Sequence, residues 1–143
     1  MEHTIDECLS YVLVLTRHIR RGDFQAMLLA VLIEMGFPVH VDGFSYLMDA
    51  ILIKREYPNM ILADIYDEIM QRHEEFIDHS QIEQAIRRAI KLAWKRRNHN
   101  IWLYFFSETD ISRKSPSNKV FISQMAYLAE LLSRCEEVSY DRV

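Results

Sequence analysis

Only three glycines (Gly22, Gly36, Gly43) and three prolines (Pro38, Pro58, Pro116) interrupt 143 residues. These two residue types supply most of the backbone freedom and the breaks that turns require. A chain with so few of them favours long helices over many short strands. Between the breaks, apolar residues recur at helical spacing. The expected fold is therefore all-α, a multi-helix bundle.

Thr4-Ile-Asp-Glu7 forms a capping-box pattern that opens a helix running to about Arg21. Leu9, Val12, Leu13, Thr16 and Ile19 lie on its apolar side, and Gly22 stands at its end. Phe24 to Met35 is apolar almost all round, which predicts a central buried helix stopped by Gly36. A loop, Gly36 to Gly43, leads to a third helix that carries Phe44, Leu47 and Ile51, with Lys54 and Arg55 in its last turns. Tyr57-Pro58-Asn59 breaks the chain again.

From Met60 to His73 the apolar stripe is Ile61, Leu62, Ile65, Tyr66, Ile69 and Met70. A short connection, Glu74 to Ile77, precedes a second amphipathic helix from Asp78 to Arg97. A short apolar segment, Ile101 to Phe106, and a polar loop, Ser107 to Ser115, follow. Pro116 suits the first turn of a last helix ending near Glu137. The organisation expected is an N-terminal helix within 1–23 and a helix-turn-helix domain over 24–137, with reader helices at about 60–73 and 78–97.

The Asp78–Arg97 helix is the most informative segment for function. Ile82, Ala85, Ile86, Ala89, Ile90, Leu92 and Ala93 gather on one side. Gln81, Gln84, Arg87, Arg88, Lys91 and Lys95 fill the other. Asp78 or Ser80 can cap its start, and Gln81 or Glu83 three residues later completes a capping box for either choice. Amide and guanidinium groups presented outward from an aliphatic anchor are the side chains that reach base edges and phosphates in a major groove. A plain solvated basic face is the alternative. Helix, short turn and basic outward helix together form the pattern of a helix-turn-helix reader.

A net charge of −4 argues at first against a polyanionic partner, but the charge is segregated. His79 to Lys119 holds nine Lys or Arg and three Asp or Glu, a surplus of six positive charges. The remainder, eight basic against eighteen acidic, carries −10. A basic block on an acidic body concentrates positive field on one face. Cys8 and Cys135 are too few and too distant for a disulfide framework or zinc knuckle. The first residues are acidic where a secretory signal would be basic, and the longest apolar run, Ala26 to Ile33, is eight residues. A cytoplasmic protein without membrane contact is expected.

Four motifs then carry a resemblance. Met35 to Ile51, MGFPVHVDGFSYLMDAI, is similar to a G-x-P-x-H-x-x-G-x-x-Y-L-x-x-A-I signature through Gly36, Pro38, His40, Gly43, Tyr46, Leu47, Ala50 and Ile51. Ile65-Tyr66 is similar to a Leu-Tyr pair, although Asp67 replaces the proline that usually follows. Ser80 to Trp94 resembles S-R-V-E-R-A-I-R-H-A-I-E-x-A-W, and Ser115 to Ile122 resembles K-P-T-N-x-x-F-I. In this order, over about Phe24 to Leu132, they resemble the C-terminal DNA-binding effector domain of the sporulation-initiation master regulator, stage zero protein A, of endospore-forming bacteria. The resemblance implies a six-helix effector domain that binds promoter DNA, often as a dimer on tandem sites.

The departures shape the expectation. Gln81 and Gln84 stand where the family has arginines, and Arg88 replaces a histidine, whereas Glu83 and Arg87 match. Glutamine suits adenine where arginine reads guanine, so the preferred site should differ. Ser115 replaces a lysine, removing one phosphate anchor beside Arg113 and Lys114. The turn between the reader helices is about two residues longer, and the 143 residues leave no room for the receiver domain that precedes this effector in the family. Direct phosphorelay control is therefore not expected.

Gln81, Gln84 and Arg88, at i, i+3 and i+7, are expected at base edges together with Glu83. Ser80, Arg87, Lys91, Lys95, Arg113, Lys114 and Lys119 are the expected phosphate contacts. His40, between two valines, is expected to make a structural hydrogen bond; His73 and His79 flank the turn at a spacing without metal-site logic. Trp102, Tyr104, Phe105 and Phe106 suit a core or dimer seam better than base stacking. No phosphate loop, nucleophile elbow or acid pair is present, so neither enzyme activity, a metal, a cofactor nor a small-molecule substrate is expected.

The expected partner is double-stranded DNA, bound by a sequence-specific transcriptional regulator. The alternative is a non-catalytic interaction protein on the same fold that antagonises a related regulator and binds little DNA itself. The N-terminal helix can pack on its own domain or join a homodimer, and both options stand open.

Overall fold

Gly36, Pro38, Pro58 and Pro116 all fall between helices in the computed structural model, which describes residues 24–73, 77–106 and 114–141. Six helices occupy these residues: α1 (Phe24–Met35), α2 (Asp42–Glu56), α3 (Leu62–Arg72), α4 (His79–Lys95), α5 (His99–Phe105) and α6 (Asn118–Asp141). The expected N-terminal helix with its Thr4–Glu7 box, most of the Glu74–Ile77 connection, and Arg113 lie outside the described residues. The all-helical expectation holds throughout those that are described.

The centre of the bundle is α2. It packs most extensively on α4 and α6, and also lies against α3 and α1. Phe44, Leu47, Ala50, Ile51 and Ile53 bury its inward faces. The expectation of a central helix at Phe24–Met35 is corrected. α1 buries Met27, Leu28, Val31, Leu32 and Met35 but leaves Leu29 and Ile33 exposed at 37% and 47%. Continuous apolarity does not say how many sides a helix will have covered, and among the described helices α1 meets α2 and α5.

Gly36 ends α1 with φ +105°, a conformation that side chains with a Cβ rarely adopt. Its N–H donates to the Ile33 carbonyl and that of Phe37 to the Leu32 carbonyl, both at 3.0 Å, the Schellman pattern. Trp102 completes this end by donating from Nε1 to the Met35 carbonyl at 2.8 Å. Fully buried, Trp102 is ringed by Phe37, Phe106 and Phe121, with centroids 5.5–6.4 Å away. The Ile101–Phe106 segment is thus mostly a short helix, and Trp102, Phe105 and Phe106 are core. Base stacking by these three is excluded by burial.

Three boundaries differ from the sequence expectation. Gly43 is inside α2 rather than in the loop before it. α6 begins at Asn118, with the Ser117 Oγ accepting from Val120 N at 3.2 Å, so Pro116 precedes the helix instead of sitting in its first turn. α4 ends at Lys95, two residues early.

Candidate nucleic-acid interface

α3 and α4 are in contact, and both also pack against α2. Ile65, Tyr66 and Ile69 are buried from α3, and Ile82, Ile86, Ala89, Ile90 and Ala93 from α4. Of the two possible caps, Asp78 is used. Its carboxylate accepts from Gln81 N at 2.8 Å, and Gln81 Oε1 accepts from Asp78 N at 3.0 Å. The box satisfies two backbone donors reciprocally at the end of α4. It also engages the Gln81 carboxamide, whose bidentate contact with adenine would require its release.

The outward arc of α4 stands opposite its buried stripe. Gln81, Gln84, Arg88, Lys91 and Lys95 are all exposed and fall within about 80° of helical arc. Arg88, Lys91 and Lys95 make no hydrogen bond or ion pair with the other described residues, so their charges are unspent. Gln84 Nε2 reaches the Ser80 hydroxyl at 3.4 Å, a weak contact that a ligand could displace. Glu83 and Arg87 lie on the flank facing α6 and pair with each other. Glu83 is half-buried and therefore the least available of the expected base contacts.

The first turn of α6 abuts α4 there. Asn118 Nδ2 donates to the Glu83 carbonyl at 2.9 Å and to the Tyr66 hydroxyl at 3.1 Å. Lys119, next along the chain, and Lys114 just before the helix are both exposed. Burial pushes the Tyr66 phenol above its ordinary range, opposed by the Asn118 hydrogen bond, with smaller contributions from Glu83 and Arg87.

Two histidines brace the reader unit. His79 Nε2, at the first position of α4, pairs with Asp67 Oδ1 of α3. His73 Nε2, at the end of α3, lies 3.4 Å from Asp49 Oδ2 of α2. Asp67 occupies the position where the resemblance places proline, and this pairing gives it a structural use. His40 corrects another expectation: it is exposed and makes no hydrogen bond to the described residues.

Gly43 was visible as a motif residue, but its reason was not. A Cβ there would lie 2.1 Å from the Ala85 carbonyl oxygen, so the start of α2 presses directly on the α4 backbone. Asn118 and Tyr66 were missed as members of the site. The signal was a polar residue at the start of an apolar helix inside the Ser115–Ile122 motif, and only the contacts show what it holds.

An amphipathic helix following a braced partner, with its basic arc outward, defines an all-helical domain of the helix-turn-helix class. A family model described as sporulation initiation factor Spo0A C terminal matches residues 28–128. The chain belongs to this family of DNA-binding effector domains. The family is one of DNA-binding domains rather than of enzymes. No helix among the described residues is long and apolar enough to cross a membrane.

Proposed function

We propose that this protein is a sequence-specific transcriptional regulator that lays α4 in the major groove of double-stranded DNA. The observation that carries the proposal is the unspent outward arc of Arg88, Lys91 and Lys95 beside Gln84, directly opposite the buried stripe. Arg88 and Gln84 occupy the middle of the arc and take base edges. Gln81 joins them once its capping box opens, and Glu83 lies at the flank. Lys91, Lys95, Ser80 and Arg87 contact phosphates along the groove, with Lys114 and Lys119 meeting the backbone beside it.

Family membership supports the DNA partner, and the surplus of six positive charges between His79 and Lys119 supports the face it uses. Selection from random duplexes, followed by binding at several salt concentrations, tests the proposal. Enrichment of one short motif with a steep salt dependence is the expected result.

One observation favours a second reading, a protein that antagonises a related regulator. Gln81 is engaged in the cap and Glu83 with Arg87, so two of the four expected base contacts are already occupied. Failure to enrich any motif at low salt would select that reading.

A further inference from the structure

Asn118 is a buried polar side chain, 7% exposed. Both hydrogens of its Nδ2 are used, one on each reader helix: the Tyr66 hydroxyl of α3 and the Glu83 carbonyl of α4. The orientation of the amide is dictated by its partners. A carbonyl cannot donate, so the nitrogen must face Glu83. A carbonyl has two lone pairs, so this bond can coexist with the helical one.

Asn118 Oδ1, by contrast, is buried with no hydrogen-bond partner among the described residues. An unpaired buried acceptor is costly, and an apolar residue would avoid that cost. Local stability alone is a poor reason for this amide.

Its placement suggests a better one. The apolar stripe of α4 resists separation from the bundle but only weakly resists rolling, because hydrophobic contact is non-directional. Two contacts at backbone level act on one turn of α4. Gly43 presses on Ala85, and Asn118 holds Glu83. Residues 83 and 85 lie about 200° apart around the helix, on opposite flanks. A hydrogen bond on one flank and a backbone stop on the other fix the roll of the two turns that carry Gln81, Gln84 and Arg88.

We infer that Asn118 is a positioning residue of the DNA-reading unit: by joining Tyr66 of α3 to the Glu83 backbone of α4, it sets the angle at which Gln84 and Arg88 meet the base edges. The inference rests on the DNA-binding proposal for its consequence but not for its geometry.

The test uses the full chain and three variants. Asn118→Ala removes both bonds. Asn118→Asp keeps the size and can still accept from Tyr66 but sets an oxygen against the Glu83 carbonyl. Tyr66→Phe removes only the α3 link. Residual dipolar couplings of the α3 and α4 amides in the DNA-free protein report the interhelical angle. Binding is measured to the selected duplex and to a random duplex of equal length.

In Asn118→Ala and Asn118→Asp the angle is expected to change, with affinity for the selected duplex falling about tenfold and for the random duplex far less. Tyr66→Phe should shift both in the same direction by a smaller amount. A merely structural loss would lower both affinities together. An unchanged angle, or equal losses on both duplexes, overturns the inference. If Asn118→Ala does not fold, the other two variants decide on the same criteria. A changed angle in variants of a parent that binds no duplex supports the clamp and overturns the DNA-binding proposal instead.

Discussion

Replacing Gly43 with alanine adds one methyl group at the tightest approach in the fold. Its φ is unremarkable, so the backbone conformation tolerates a side chain and the outcome depends on space. The new Cβ would stand 2.1 Å from the Ala85 oxygen, 2.6 Å from the Ala85 carbonyl carbon and 3.2 Å from the Ala89 Cβ. Ordinary contact needs about 3.5–4 Å, so α2 and α4 must separate by more than an ångström. The two closest atoms are backbone and cannot rotate aside. α2 and α4 form one of the two largest helix contacts, and a gap of that size forfeits much of the dispersion energy across it. Overpacking of this kind costs about 1–3 kcal/mol. Up to about 1 kcal/mol returns because alanine is the better helix former. A net loss of about 1–2 kcal/mol follows, roughly 4–8 °C in Tm for a domain of this size. Urea and thermal unfolding followed by circular dichroism measure it. A variant as stable as its parent would show that the helices move apart freely and would refute the role given to Gly43 in fixing α4.

Arg88→Ala should weaken specific binding by about 1–3 kcal/mol and relax preference at one base position; unchanged affinity and an unchanged selected motif would remove Arg88 from the base-reading set. Lys95→Ala, nearer the C-terminal end of α4, should reduce affinity uniformly across sequences and make the log–log salt slope shallower by about one. A sequence-dependent loss there would mean the helix lies differently in the groove. The raised Tyr66 pKa predicts an alkaline effect. Below pH 10 the phenol is neutral in both states and its contribution is complete. Above it the unfolded chain ionises first, so stability falls as pH rises towards the folded-state value. Tyr66→Phe should flatten the alkaline decline in stability by the share of one proton, and identical slopes in the two proteins would contradict the burial argument.

Much of the fold is legible because helix periodicity is a local property. The scarcity of Gly and Pro, the stripes of α3 and α4 and the outward arc from Gln81 to Lys95 follow from residue spacing alone. The motif resemblance pointed to the family that the match over residues 28–128 establishes. What residue spacing could not say is which elements would face each other. α1 looked buried on every side and leaves Leu29 and Ile33 exposed, because apolarity all round does not count neighbours. The Ile101–Phe106 segment revealed neither its helix nor that Trp102 would close the end of α1, a contact made 67 residues away. His79 with Asp67, Gly43 against Ala85, and Asn118 between Tyr66 and Glu83 join residues from different helices. Side-chain chemistry at each position was written in the chain, but the distances that give it meaning exist only after the helices pack. The sequence by itself determined which face of α4 carries the charge. Tertiary structure decided how that face is held.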